Sequence, residues 1–61
     1  MKILSDQAFI EIINEAIEKS PTRERGVATK IKISIPTVKR WAQGRNLPHH
    51  AMRISVAMTL R

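Results

Sequence analysis

The sequence predicts an all-α protein, a small bundle of four to five helices in a single domain that spans residues 1–61. Three observations predict this fold class. Apolar residues recur at helical spacing, typical helix starts and stops separate the segments, and no stretch alternates as an amphipathic strand does. A domain of this length buries only about 60% of the surface that its unfolded chain exposes, so we expect marginal stability or a partner subunit.

The first helix is predicted from Ser5 to Glu18. Ser5 is a suitable N-cap, and Asp6 is favourable in the first turn, near the positive end of the helix dipole. The outer face is acidic, so we expect this helix to brace the core and to face away from any phosphate. Ile10 lies off the apolar stripe and is interpreted as a candidate second contact surface. The stripe itself consists of Phe9, Ile12, Ile13, Ala16 and Ile17.

A shorter second helix is predicted from about Thr22 to Ile31. Ser20 followed by Pro21 is typical of a helix start, because serine caps a free amide and proline has no amide that needs a partner. Ala28 is the small residue that we expect where this helix crosses the next one closely. The apolar face of the second helix consists of Val27, Ala28 and Ile31.

The third helix is predicted from Ser34 to Gln43. Either Ser34 or Ile35 is its N-cap, because Pro36 disfavours the helical conformation of the residue before it. Gly44 suits the position just after the helix, where a left-handed conformation is common.

A fourth helix is predicted from Pro48 to about Met58. Its apolar residues are spread too evenly for one narrow face, which suggests contacts on two sides. Met52 and Met58 are interpreted as gap-filling core residues, with an adaptable binding surface as the alternative. The apolar residues of this helix include Met52, Ile54, Val56 and Leu60.

The net charge of +6 is distributed unevenly along the chain. Residues 1–20 have a charge balance of −2, whereas residues 21–61 have a balance of +8, with Glu24 as their only acidic residue. A basic region of this kind attracts a polyanion, such as nucleic acid or an acidic membrane surface. A solvated surface without a partner is the alternative that charge alone leaves open.

The residue types disfavour several other classes of protein. The chain has no cysteine, which excludes disulfides and thiolate metal sites. It has no pair of nucleophile and base, no metal cluster and no glycine-rich phosphate loop, so we expect neither an enzyme nor a cofactor. His49 and His50 are adjacent and point in different directions, which disfavours a helical metal site. The sequence lacks a signal peptide and an apolar run of membrane length, so we expect a soluble, cytoplasmic protein.

The third predicted helix has two contrasting sides. At about 100° per residue, one side is apolar and the other is basic and rich in hydrogen-bonding groups. Trp41 falls on the apolar side and is interpreted as a core anchor in preference to a base-stacking platform. A helix of this kind fits the major groove of DNA, where arginine can bond guanine and glutamine can bond adenine. The apolar side consists of Val38, Trp41 and Ala42, and the polar side of Pro36, Lys39, Arg40 and Gln43, with Thr37 at the flank.

The segment VATKIKISIPTVKRWAQGRNLP, residues 27–48, resembles the helix-turn-helix of the phage Cro and repressor family. The resemblance covers most of the chain from Thr22 onward. Lys32 stands where the family usually has a glycine in the turn, and a left-handed conformation there costs lysine on the order of 1 kcal/mol. The matching positions are Val27, Ala28, Ile31, Ile33, Ser34, Thr37 and Val38, followed by Trp41 to Gly44 and Pro48.

The resemblance implies a lambda-repressor-like fold and sequence-specific binding of double-stranded DNA by a Cro-type transcriptional repressor, in a bacterium or a phage-infected cell. It also implies a homodimer on a palindromic operator, since one recognition helix contacts too few base pairs for high specificity. The residues that we expect to face bases are Ser34, Ile35, Pro36, Thr37, Arg40 and Gln43. The residues that we expect near DNA phosphates are Arg23, Lys39, Arg45 and Asn46, while Glu24 occupies a similar position with an unsuitable charge.

Other functions stay open on the sequence alone. The same fold can serve as a protein-interaction module that does not read DNA, for which Ile10 and the broad apolar fourth helix are the supporting features. An architectural role in recombination, or activation in place of repression, is also compatible with the fold. A membrane-surface binder is disfavoured, because the basic residues surround a turn and do not line one long helix.

Overall fold

A computed structural model describes residues 4–60 of the chain. Within these residues there is no β-strand, and the predicted all-α fold class is confirmed. None of the helices is long and apolar enough to cross a lipid bilayer. Four helices form the fold, namely α1 (Asp6–Lys19), α2 (Glu24–Ile31), α3 (Ile35–Ala42) and α4 (His50–Leu60).

The N-terminal boundary of α1 agrees with the prediction. Ser5 has an extended backbone, and its hydroxyl accepts a hydrogen bond from the amide of Ala8 at 3.2 Å. This bond satisfies one of the amides that a helix start leaves free. The residues of the predicted stripe face inward: Phe9, Ile13 and Ile17 are buried, and Ile12 and Ala16 are half-buried.

At its C-terminal end, α1 extends one residue further than predicted, to Lys19. The Nζ atom of Lys19 donates to Oε1 of Glu15 at 2.9 Å. The hydrogen bond and the positive charge of Lys19 lower the pKa of Glu15, and the same contact raises the pKa of Lys19. Lys19 therefore forms an ion pair on the acidic face of α1 and does not belong to the basic region that follows.

The start of α2 differs from the prediction. Ser20 ends α1, with its amide donating to the carbonyl of Ile17 at 3.2 Å, and residues 21–23 form a turn. The predicted start at Thr22 is wrong, because Arg23 has φ 55° and ψ −127°, outside the helical region, and α2 begins only after it. A Cβ atom at Gly26 would collide with the hydroxyls of Ser20 and Thr22, so the turn lies close against the first turn of α2.

The connection between α2 and α3 turns sharply at Lys32, which has φ 59° and ψ 44°. The amide of Ile33 donates to the carbonyl of Ala28 at 2.9 Å, and the amide of Lys32 donates to that of Thr29 at 3.4 Å. These two bonds form a Schellman motif, which ordinarily has glycine at its left-handed position. Lys32 therefore adopts a left-handed conformation, which costs a lysine on the order of 1 kcal/mol.

The ends of α3 lie close to where the sequence places them. Ser34 is the N-cap, and its hydroxyl accepts from the amide of Thr37 at 3.4 Å, so the alternative cap at Ile35 is wrong. Gly44 has φ 81°, and its amide donates to the carbonyl of Trp41 at 2.9 Å. The helix proper ends at Ala42, and Gln43 is its C-cap.

Trp41 is the centre of the hydrophobic core. Only 4% of its surface is exposed, and its ring meets that of Phe9 edge-on at a centroid distance of 5.5 Å. The predicted role of Trp41 as a core anchor is confirmed. The buried core consists of Phe9, Ile13, Ile17, Val27, Ala28, Val38, Trp41 and Val56.

The position of α4 corrects two expectations. The helix begins at His50, two residues after the predicted start at Pro48, and its buried residues are Arg53, Val56 and Ala57. Met52 is 38% exposed and Met58 is 72% exposed, so their interpretation as core residues is wrong. The reason is that α4 packs against α1 and α2 through the side that holds Arg53, Val56 and Ala57, and this leaves both methionines on the outside.

The helices are arranged around α1 and α2. Both α3 and α4 pack against this pair, whereas within residues 4–60 α3 and α4 do not pack against each other. The two outer helices therefore lie on different sides of the molecule, and α3 is held in place entirely by α1 and α2.

Candidate nucleic-acid interface

The exposed side of α3 carries most of the residues that the sequence predicts to contact DNA bases. Val38 and Trp41 are buried, which fixes the rotation of the helix about its axis. Ile35 and Thr37 are half-buried at the flank, and Ile35 packs partly against the core. The exposed residues of α3 and its caps are Ser34, Pro36, Lys39, Arg40 and Gln43.

Two hydroxyls are paired at the N-terminal end of α3. The Oγ atom of Ser34 and the Oγ1 atom of Thr37 lie 2.7 Å apart, and either of them can be the donor. One hydroxyl hydrogen of the pair is thus used internally, and the other stays available to a ligand. The pair lies at the positive end of the helix dipole, where hydrogen-bond acceptors and anions are favoured.

Arg40 and Lys39 are exposed neighbours near the C-terminal end of α3. Within residues 4–60 neither of them forms an ion pair, so both charges are available to an external partner. Their positive charges are also favourable at this end of the helix, where the dipole is negative. The planar guanidinium of Arg40 presents paired N–H donors that suit the edge of a guanine, whereas the ammonium of Lys39 acts as a point charge.

The loop after α3 is held by its own hydrogen bonds. The amide of Arg45 donates to the carbonyl of Arg40 at 2.8 Å, which completes a second Schellman motif. Asn46 has φ 49°, and its carbonyl accepts from the indole Nε1 of Trp41 at 3.0 Å. The predicted phosphate contacts Arg45 and Asn46 are therefore exposed on a loop that the core tryptophan anchors.

Gln43 and Arg45 contact each other through their side chains. The Nη1 atom of Arg45 donates to Oε1 of Gln43 at 3.4 Å. The NH₂ group of Gln43 takes no part in this bond and can donate to a ligand. The pair couples a residue predicted to read a base with one predicted to contact a phosphate.

Asn14 is a supporting residue that the sequence did not identify. Its Nδ2 atom donates to the carbonyl of Ile10 at 3.0 Å and to that of Ala42, the last residue of α3, at 3.1 Å. No local pattern points to the contact with Ala42, because Asn14 and Ala42 are 28 residues apart in the sequence. The polar character of Asn14, next to the buried Ile13, is the only available signal.

Ile10 lies close to the loop that follows α3. It is half-buried, and a Cβ atom added at Gly44 would lie 3.1 Å from its Cδ1 atom. Ile10 therefore lies against the loop that follows α3, and the hypothesis that it forms a second contact surface stays a prediction.

Arg53 does not belong to the exposed basic surface. It is 8% exposed, and its guanidinium donates to Oδ1 of Asp6 at 2.7 Å, the carbonyl of Pro48 at 2.7 Å and the carbonyl of Leu4 at 3.1 Å. It also lies 6.0 Å from the ring centroid of Phe9. A buried guanidinium needs such partners, so this charge is used to connect α4 to the start of α1.

The remaining positive charges are concentrated around α2 and α3. Seven basic residues between positions 23 and 45 are exposed, and Glu24 is the one acidic residue in that range. Arg23 is the only one of them with an ion pair within the described chain, at 3.8 Å from Glu24. On α1, by contrast, Glu11, Glu15 and Glu18 are exposed. The seven basic residues are Arg23, Arg25, Lys30, Lys32, Lys39, Arg40 and Arg45.

Other kinds of site find little support in this part of the chain. Between residues 4 and 60, no group of three His, Asp or Glu side chains is arranged to hold a metal ion. Two open hollows of about 440 and 310 Å³ lie between α1, α2 and Leu60, away from the exposed side of α3. No family model, curated protein or solved structure matches the chain.

Proposed function

We propose that this chain is a sequence-specific DNA-binding protein in which α2, residues 32–34 and α3 form a helix-turn-helix. The observation that carries the proposal is the two-sidedness of α3. Its apolar side is fixed in the core by Val38 and Trp41, and its other side presents unpaired basic and hydrogen-bonding groups. A helix held in this way can enter the major groove as a rigid body.

The expected contacts divide into two kinds. Base edges are read from α3, by the hydroxyl pair of Ser34 and Thr37, by the apolar Ile35 and Pro36, and by the longer Arg40 and Gln43. Phosphates are contacted at the borders, by Arg23 before α2, by Lys39, and by Arg45 and Asn46 after α3. Phosphate contacts position the protein, and base contacts specify the sequence.

The regulatory role that we propose is that of a Cro-type repressor with a lambda-repressor-like fold. Such a protein binds a palindromic operator as a homodimer and blocks a promoter. A single α3 helix reaches only a few base pairs, and two half-sites one helical turn apart supply the rest of the specificity.

A mobility-shift titration at two or more salt concentrations tests DNA binding directly. If each subunit neutralises about three or four phosphates, the slope of log K against log salt for the dimer is roughly −5 to −7. A slope near zero contradicts nucleic-acid binding. Selection of bound duplexes from a random pool then tests sequence specificity, and recovery of a palindromic consensus is the expected result.

A further inference from the structure

We infer that the N-terminal end of α3 recognises thymine, a step that rests on the proposed function and names one base of the operator. We define this end as residues 34–37, which are Ser34, Ile35, Pro36 and Thr37. None of these four residues carries a charge, although the region around them is basic. An uncharged end within a basic region suits the edge of a base better than a phosphate.

Pro36 is the apolar residue that points outward at this end of α3. It is exposed, and at about 100° per residue it lies about 160° around the helix from the buried Val38. Arg40 comes four residues later and falls on the same outer side. A groove that receives the side chain of Arg40 therefore also receives the carbon ring of Pro36, next to the partly exposed Ile35.

The backbone at this end offers little to a phosphate. Pro36 has no amide hydrogen, and the amide of Thr37 donates to Oγ of Ser34 at 3.4 Å. Two of the first three residues of α3 thus cannot bind an anion as the amides of a free helix start do. The side-chain groups that remain for a ligand are the carbon atoms of Ile35 and Pro36 and the pair of hydroxyls.

The pair of hydroxyls supplies one outward donor next to this carbon surface. Oγ of Ser34 and Oγ1 of Thr37 lie 2.7 Å apart, so one hydroxyl hydrogen bonds within the pair and the other can donate to a ligand. In the major groove, thymine presents a methyl group beside the single acceptor O4. Guanine presents two acceptors, adenine an acceptor and a donor, and cytosine a donor. One donor beside carbon atoms therefore complements thymine best.

The distance along α3 predicts where this thymine lies in the operator. Pro36 and Arg40 are four residues apart in the sequence, which is about 6 Å along the helix axis. Successive bases of one DNA strand are about 3.4 Å apart. We therefore expect each half-site to hold a thymine within about three base pairs of the guanine that Arg40 contacts.

Replacement of thymine by deoxyuridine tests the methyl contact, because uracil lacks the methyl group and keeps O4. The duplex selected from the random pool is remade with deoxyuridine at one thymine position of both half-sites at a time, and a mobility shift measures its affinity. We expect one position at which the dissociation constant rises about tenfold, because two buried methyl groups are lost. Pro36→Ala should lower this ratio to about threefold or less, since the proline ring is gone. Lys39→Ala is the matched control on the same helix. It should weaken both duplexes alike and leave the ratio unchanged.

A second substitution in the DNA tests the hydrogen bond to O4. A pair of 5-methylcytosine and guanine, placed at the same position, keeps the methyl group and presents an amino donor where thymine has its acceptor. We expect the affinity of the parent chain to fall by about tenfold, because the outward hydroxyl hydrogen then meets another donor. Equal affinity for the two duplexes would overturn the recognition of thymine.

The outcomes separate this inference from the proposed function. The inference is overturned if no thymine position responds to the loss of its methyl group, or if Pro36→Ala keeps the full ratio between thymine and uracil. Thermal melting checks that Pro36→Ala is folded, as expected for alanine at an exposed position of a helix. A parent chain that binds its selected duplex with the expected salt slope but does not distinguish thymine from uracil refutes the inference and leaves the proposed function standing. A salt slope near zero refutes both.

Discussion

The side-chain Nδ2 atom of Asn14 in α1 donates a hydrogen bond to the backbone carbonyl of Ala42, the last residue of α3. The last four carbonyls of a helix have no partner within the helix, so this bond satisfies one of them from a neighbouring helix. It also ties the C-terminal end of α3 to α1, on the side opposite the exposed Lys39 and Arg40. Asn14 is thus a positioning residue for the proposed recognition helix.

Replacing Asn14 by alanine should affect both stability and DNA recognition. We expect Asn14→Ala to lower the free energy of unfolding by about 1 kcal/mol, because one interhelical hydrogen bond is lost. We also expect a greater loss of affinity for the selected operator than for random duplex, because base contacts depend on the position of α3. Glu18→Ala, at an exposed site on the same helix, is the control. Equal losses on both DNAs would show that Asn14 does not position α3.

Lys32 should be a site at which a single substitution stabilises the protein. Glycine adopts the left-handed conformation of this residue without steric cost, so Lys32→Gly should stabilise the fold by about 1 kcal/mol. Lys30→Gly removes the same charge from the last turn of α2 and should destabilise by up to about 1 kcal/mol, because glycine is a poor helix former. Thermal melting of the two variants should therefore show shifts of opposite sign, and two shifts of the same sign would contradict the strain at Lys32.

Arg53 should be essential for folding although its ion-pair partner is not. Arg53→Met leaves the carbonyls of Leu4 and Pro48 without this donor and should cost about 1–3 kcal/mol, a large share of the stability of so small a domain. Asp6→Asn should cost no more than about 1 kcal/mol, because the Asp6 side chain is 73% exposed. Chemical denaturation of both variants measures the difference. Similar losses of stability in the two variants would mean that the ion pair with Asp6 contributes more to the free energy of unfolding than the contacts with the two carbonyls.

Arg40 and Lys39 should differ in what they contribute to DNA binding. Arg40→Ala should cost about 1–3 kcal/mol on the preferred operator and relax the preference at one base pair per half-site, with little loss on random DNA. Lys39→Ala should weaken binding to all sequences alike and reduce the salt slope by about one per subunit.

Both variants must first melt as the parent does, since a folding defect mimics either result. If Arg40→Ala weakens specific and random DNA equally, α3 is oriented differently in the groove. In that case Ser34, Ile35 and Thr37, at the N-terminal end of the helix, are the residues that contact the bases.

Several features of the fold could be predicted because their causes are local. The hydroxyls of Ser5 and Ser34 cap helices by accepting hydrogen bonds from amides three residues later in the chain. The amides of Lys32 and Gly44 end helices by donating to carbonyls a few residues earlier. The spacing of Val38 and Trp41 likewise places both of them on one side of α3. Such signals lie within about one helical turn, where the geometry of the backbone is the same in every helix.

Parts of the candidate site depended on contacts that no local pattern describes. Asn14 reaches a carbonyl 28 residues away, and Ile10 lies against Gly44. Each of these outcomes was fixed by the way in which two helices pack together.

The sequence by itself determined the all-α class, the cap residues, the two sides of α3 and the concentration of positive charge after residue 20. Only the tertiary structure decided which of those charges stay exposed and which apolar residues stay outside. Arg53 is buried because its partners Leu4 and Asp6, 49 and 47 residues away in the chain, meet it at one point in the fold. Met58 is exposed because α4 turns the side with Arg53, Val56 and Ala57 toward α1 and α2, and which side of a helix faces inward is decided by how the helices pack.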